Sequence, residues 1–146
     1  MEIKPIPDDS PQLSPILLYE DVAAAIDWLA KAFGFEEDGW RYTGQDGKVN
    51  HASMSLGKAA IMLGYPGAEY KNPKRVGHAT QILYVYVEDV DKHYEQAKKA
   101  GAAILQEPAD QFYGDRRYGA ADLEGHQWYF ASRVRELTDE PPEGHG

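Results

Sequence analysis

Apolar and polar positions along this chain follow a period that switches several times, and each switch predicts an element. Residues 14–19 (SPILLY) form a short apolar run, read as a strand. Asp21 then offers a helix N-cap, because its carboxylate can accept from the free N–H groups of a first turn. Val22, Ile26, Leu29 and Phe33 follow at spacings of four, three and four, one apolar stripe of a helix that Gly34 is suited to stop. Residues 40–43 lead into Gly44-Gln45-Asp46-Gly47, a hairpin turn. Residues 49–56 (VNHASMSL) alternate, with Ala52, Met54 and Leu56 on one face and His51, Ser53 and Ser55 on the other. Gly57-Lys58 turns the chain into a third strand over 59–63. Residues 65–77 hold two prolines and two glycines and read as a linker. After it the order restarts: a strand over 80–87, a helix over 90–100 behind the cap Asp89, and three short strands ending near Ala131.

The restart can be counted. Glu20-Asp21-Val22 recurs as Glu88-Asp89-Val90, and 89 − 21 = 68. Gly57 recurs as Gly125, and 125 − 57 = 68. One offset places both the helix cap and the last hairpin, so the chain is read as two βαβββ modules, 14–64 and 78–131, within one α+β domain. Pro5, Pro7 and Pro11 keep residues 1–13 extended as an N-terminal arm, and residues 132–146 read as a polar tail.

Composition then narrows the function. A length of 146 residues fits one domain, and the absence of cysteine excludes disulfides, zinc ribbons and thiol nucleophiles. No apolar run approaches the roughly 18 residues of a membrane span. The charged, proline-rich start is unlike an export signal, so the expectation is a cytoplasmic protein with no membrane partner. A net charge of −9 also argues against a nucleic-acid partner. Ten of the 17 aromatic residues are tyrosine, an excess that must be core or a ligand-facing surface.

The arrangement resembles the vicinal oxygen chelate superfamily, which includes glyoxalase I, bleomycin-resistance proteins and extradiol dioxygenases. Tyr19-Glu20-Asp21-Val22 and Val87-Glu88-Asp89-Val90-Asp91 carry the resemblance before the two helices. Tyr113-Gly114-Asp115-Arg116-Arg117 and Asp122-Leu123-Glu124-Gly125-His126-Gln127-Trp128 look most like the PhnB-type branch, with Leu123 in place of a usual proline. The resemblance implies a glyoxalase/bleomycin-resistance-like incomplete barrel, each module curling around a cup, and a homodimer. It also implies a divalent metal held from the first and last strands of each module. Those positions fall at Ser14, Ile61, Ile82 and Tyr129, a donor set that no divalent metal favours, so no cofactor is expected.

Strand alternation nominates what would line the cup instead. Tyr84 and Tyr86 lie opposite Leu83, Val85 and Val87, and Tyr129 lies opposite Trp128 and Phe130. Ile61, His51, Trp40 and Tyr42 join them as expected ligand-binding residues, with Tyr113 and Arg117 from the segment before the seventh strand. These tyrosines either face a flat small molecule or fill the barrel with their hydroxyls at its rim. Asp115 beside Arg116 and Arg117 either binds an anion through a guanidinium fork or fixes the loop as an ion pair. Two functions compete. One is sequestration of a small aromatic or cationic compound, the cation favoured by the acidic balance. The other is a lyase, isomerase or dioxygenase, with atypical metal ligands or metal-free with His51 or Tyr129 as acid or base.

Overall fold

A computed structural model describes residues 2–136. In chain order its elements are β1 (Ile16–Leu18), α1 (Val22–Phe33), β2 (Glu36–Thr43), β3 (Val49–Leu56), β4 (Ala59–Gly64), α2 (Pro73–Val76), β5 (Ile82–Tyr86), α3 (Val90–Lys99), β6 (Ala103–Asp110), β7 (Asp115–Ala121) and β8 (Gln127–Arg133). They build two open four-stranded sheets, ordered β1-β4-β3-β2 and β5-β8-β7-β6, so the fold is α+β with two βαβββ modules. In each sheet the first strand runs parallel to the last, β1 with β4 and β5 with β8, and the other pairs are antiparallel. The described residues divide into two units, 2–30 with 34–70, and 31–33 with 71–136.

In the first unit Asp21 caps α1, its side chain accepting from the Ala24 N–H at 3.0 Å. Gly34 ends the helix at φ +81°, its N–H donating to the Ala30 carbonyl. Val22, Ile26 and Leu29 are buried, as are Ala52, Met54, Ile61 and Leu63 of the sheet. Each of these side chains larger than alanine contributes about 1.5–3 kcal/mol on burial. β2 begins at Glu36, four residues before the expected strand at Trp40; all eight of its residues are exposed, so no apolar alternation marks its start.

The second unit repeats the plan around an aromatic core. Asp89 caps α3 by accepting from the Lys92 N–H, and Val90, Tyr94 and Ala97 bury one stripe of that helix. Phe33 packs on Phe130 and Trp128 at ring distances of 4.7 and 5.4 Å. The His93 ring lies 4.2 Å from Phe130. Its Nε2–H donates to the Phe33 carbonyl at 2.8 Å, which leaves Nδ1 to accept from the Tyr118 hydroxyl. Burial pushes the His93 pKa down, and the hydrogen bond to the Phe33 carbonyl opposes the shift.

The segment 65–77 contains α2, capped by Asn72, whose side chain accepts from the Arg75 N–H and donates to Glu124 Oε1 at 3.0 Å. The turn it meets explains the Asp-Leu-Glu-Gly-His-Gln-Trp motif. Asp122 Oδ1 accepts from the N–H groups of Glu124 and His126, and Oδ2 accepts from the Trp128 indole at 3.1 Å. Gly125 sits at φ +96°, where a Cβ would stand 2.6 Å from the Lys74 backbone nitrogen. Gly57, in the shorter β3–β4 hairpin of the first module, has φ +58° and nothing within 4 Å of a Cβ. Gly125→Ala is therefore expected to cost about 3 kcal/mol or more of stability, against about 1 kcal/mol for Gly57→Ala, where only left-handed strain applies. Denaturant midpoints compare the two, and equal losses would contradict the packing argument.

Candidate functional site

The second sheet carries its chemistry on the face away from the aromatic core. On β7, Arg116 and Tyr118 reach toward α3, so alternation sends Asp115, Arg117 and Gly119 to the open face. On β8, Trp128 and Phe130 enter the core, and Tyr129, Ala131 and Arg133 stand opposite. On β5, Tyr84 and Tyr86 are exposed at 40% and 56%. Pairing aligns Tyr84 with Tyr129 and Gly119 in one row, and Tyr86 with Ala131 and Arg117 in the next.

Asp115 organises this face. It is 1% exposed, and its Oδ2 accepts from the hydroxyls of Tyr84 at 2.6 Å and Tyr86 at 2.7 Å. Its Oδ1 accepts from Arg133 Nε at 2.7 Å. The two tyrosines start on β5 and must cross β8 to reach β7. Ala131, with only a methyl group in that row, leaves the room to do so. Burial pushes the Asp115 carboxyl up, but Tyr84, Arg133 and Tyr86 together hold it below the ordinary carboxylate value. Burial raises the Tyr84 hydroxyl well above its usual range, with Asp115 and the Tyr113 hydroxyl adding to the effect. Tyr86 is raised mainly by its bond to Asp115.

Arg117 is held differently. Its guanidinium lies 4.6 Å from the centre of the Tyr129 ring and 5.9 Å from that of Tyr113. Its Nε is buried and has no acceptor among the described residues. Gly119 makes the arrangement possible, because a Cβ there would stand 2.7 Å from Tyr129 Cε1. The Tyr129 ring thus lies over the backbone of β7.

The expected binding residues fall into two groups. Tyr84, Tyr86, Tyr113, Arg117 and Tyr129 share the second unit and meet as described. Trp40, Tyr42 and His51 belong to the first unit, where the Tyr42 and His51 rings lie 5.8 Å apart and Trp40 is 78% exposed. Ile61 is a correction: it is 5% exposed and pairs with Met54 on the buried face, whereas Met62 and Gly64 share the face of Ser53 and His51. The uniform offset caused the error. Ile16 pairs with Met62, and Tyr84 pairs with Tyr129; 84 − 16 = 68 but 129 − 62 = 67. The hairpin between β7 and β8 spans 122–126 and that between β3 and β4 only 57–58, so their glycines do not mark a common register. Met62 is the true counterpart of Tyr129, and His51 that of Arg117, since each pairs with the residue partnering Leu18 or Tyr86.

The positions that the family resemblance assigns to a divalent metal do not fit one. Ile61 and Ile82 have no donor atom, substituting Met62 for Ile61 adds only a thioether, and Ser14 and Tyr129 are weak ligands. Among the described residues no three His, Asp or Glu side chains are grouped to hold a metal.

Sequence reasoning missed Arg133 and Gly119 and gave Asp115 no tyrosine partners. Arg133 continues the alternation of Tyr129 and Ala131, a signal hidden by its place at the edge of a polar tail. The remainder of that tail, from residue 137, lies outside the described residues.

Comparison with known proteins places this geometry. The Glyoxalase/Bleomycin resistance protein/Dioxygenase superfamily profile matches residues 13–130, and the chain belongs to that superfamily. The uncharacterized protein Mb0911c of Mycobacterium bovis is 36% identical over 133 residues, covering 88% of this chain and 87% of its own. TioX from Micromonospora is a similar solved structure, with 34% identity and a TM-score of 0.70 over 86% of this chain and all of its own. A glyoxalase-related enzyme from Clostridium phytofermentans, at 13% identity and a TM-score of 0.65, covers 86% of this chain and 96% of its own and shares the fold.

Acid should destabilise the protein in two stages. His93, lowered in the folded state, contributes stability that is whole above its unfolded value of 6.5 and declines as pH falls through its folded value. Asp115, also lowered, contributes stability that is whole above 3.8 and is lost as pH falls through its folded value. Asp115→Asn is expected to cost about 2 kcal/mol at neutral pH and to remove the lower stage alone, as followed by thermal unfolding across pH.

Proposed function

We propose that this chain binds a flat aromatic small molecule on the open face of β5-β8-β7-β6 and sequesters it, as drug-resistance members of the superfamily do. The observation that carries the reading is the fixing of Tyr84 and Tyr86 by a buried carboxylate, beside a Tyr129 ring seated over Gly119. Rings whose orientation is set in advance lose little freedom when a planar compound stacks on them. Hydroxyls and a guanidinium along the same face supply directional contacts.

The aromatic part of the reading has more support than the cationic part. Net charge describes the whole surface, whereas here Arg133 already matches Asp115 and Arg117 adds a further positive charge. The motif from Tyr113 to Trp128 supports membership of the PhnB-type branch. We also propose that the protein acts in the cytoplasm as a homodimer and without a metal; none of the described helices is long and apolar enough to cross a membrane.

Titration of planar aromatic compounds, followed by intrinsic fluorescence, tests the reading. Saturable quenching is expected, and Tyr129→Leu should weaken it about tenfold. A stoichiometric divalent ion on the purified protein, or turnover of a bound compound that His51→Ala abolishes, would instead favour the lyases, isomerases and dioxygenases of the superfamily.

A further inference from the structure

We infer that the ligand carries an oxyanion, a carboxylate or a group of similar shape, and that Arg117 receives it; this rests on the aromatic-binding reading above. The open face has two arginines, and their situations differ. Arg133 is engaged, with Nε on Asp115 and Nη2 donating to the Tyr86 hydroxyl at 3.4 Å. Arg116, on the opposite face, is bound to Asp91 and Asp110. Arg117 has neither a carboxylate nor a hydrogen-bond acceptor among the described residues, although its Nε is sealed from water. A fixed, half-buried guanidinium without a counter-charge is unusual in a folded chain, because desolvated donors are normally satisfied.

The surroundings fix how the charge can be met. Tyr129 and Tyr113 lie against the guanidinium and its Nε is sealed, so a partner approaches the terminal edge, where the Nη N–H donors diverge in the plane. An edge approach suits the two oxygens of a carboxylate, which a guanidinium binds as a fork. The exposed Tyr84 and Tyr86 rings on the same face offer a surface for the ligand ring. An aromatic compound with an acid group on its rim satisfies both requirements. His51 stands at the corresponding register position of the first sheet beside Tyr42, so arginine here is specific to the second module.

Three probes of one shape separate the possibilities: 2-naphthoate, its neutral isostere 2-naphthamide, and the cation 2-naphthylmethylammonium, each titrated calorimetrically. The intact protein is expected to bind 2-naphthoate at least about tenfold more tightly than 2-naphthamide, and the cation most weakly. Arg117→Gln should bring the acid-to-amide ratio to about one, and Arg117→Lys should keep part of it, because a point charge cannot form the fork. Rising sodium chloride should weaken 2-naphthoate and leave 2-naphthamide unchanged, a readout that needs no variant. Equal affinity for acid and amide, or preference for the cation, overturns the oxyanion inference and leaves aromatic binding standing. Failure of all three probes to bind overturns both.

Discussion

The buried carboxylate of Asp115 is the constraint on which the open face of the second sheet depends. It stands on β7, yet its hydrogen-bond partners come from β5 and β8, so one side chain ties three strands together. Burial alone would favour its neutral form. Two hydroxyls and a guanidinium reverse that preference, and the bonds that keep the charge also fix two aromatic rings in place across β8. Without them Tyr84 and Tyr86 would be free to turn about χ1 at a sheet edge. Order on this surface is electrostatic in origin although its visible product is aromatic.

The two modules show how a repeated plan takes different tasks. Both begin with a Glu-Asp-Val cap, and in both the Asp side chain accepts from a first-turn N–H. Both pair their first and last strands in parallel. The open-face rows then diverge: Ile16 and Met62 stand where the second module has Tyr84 and Tyr129. Architecture is maintained by caps, turns and core stripes, and chemistry is free to vary at alternate positions between them.

What could be read before the structure follows the same division. The α1 stripe was legible because Phe33 and its partners repeat at helical spacing under burial, a pattern with one solution. The facing of Tyr84 and Tyr86 was legible from period two. Register was not: a turn glycine marks a local dihedral need, and hairpins of different length place it differently, which sent Ile61 to the wrong face. The Asp115 network was illegible for another reason. Its members are separated by about thirty and eighteen residues, and only pairing across β8 brings them together. Arg133 looked like solvated tail because it opens a segment, 133–146, rich in charged residues, proline and glycine.

Gly119 invites a different kind of conclusion. A ring from β8 rests where a side chain of β7 would otherwise stand, so the shape of this surface is set by something the residue lacks. Any larger residue at that position must displace Tyr129 and with it the flank of Arg117. One codon therefore governs where the Tyr129 ring rests and, through it, what lies beside the Arg117 guanidinium.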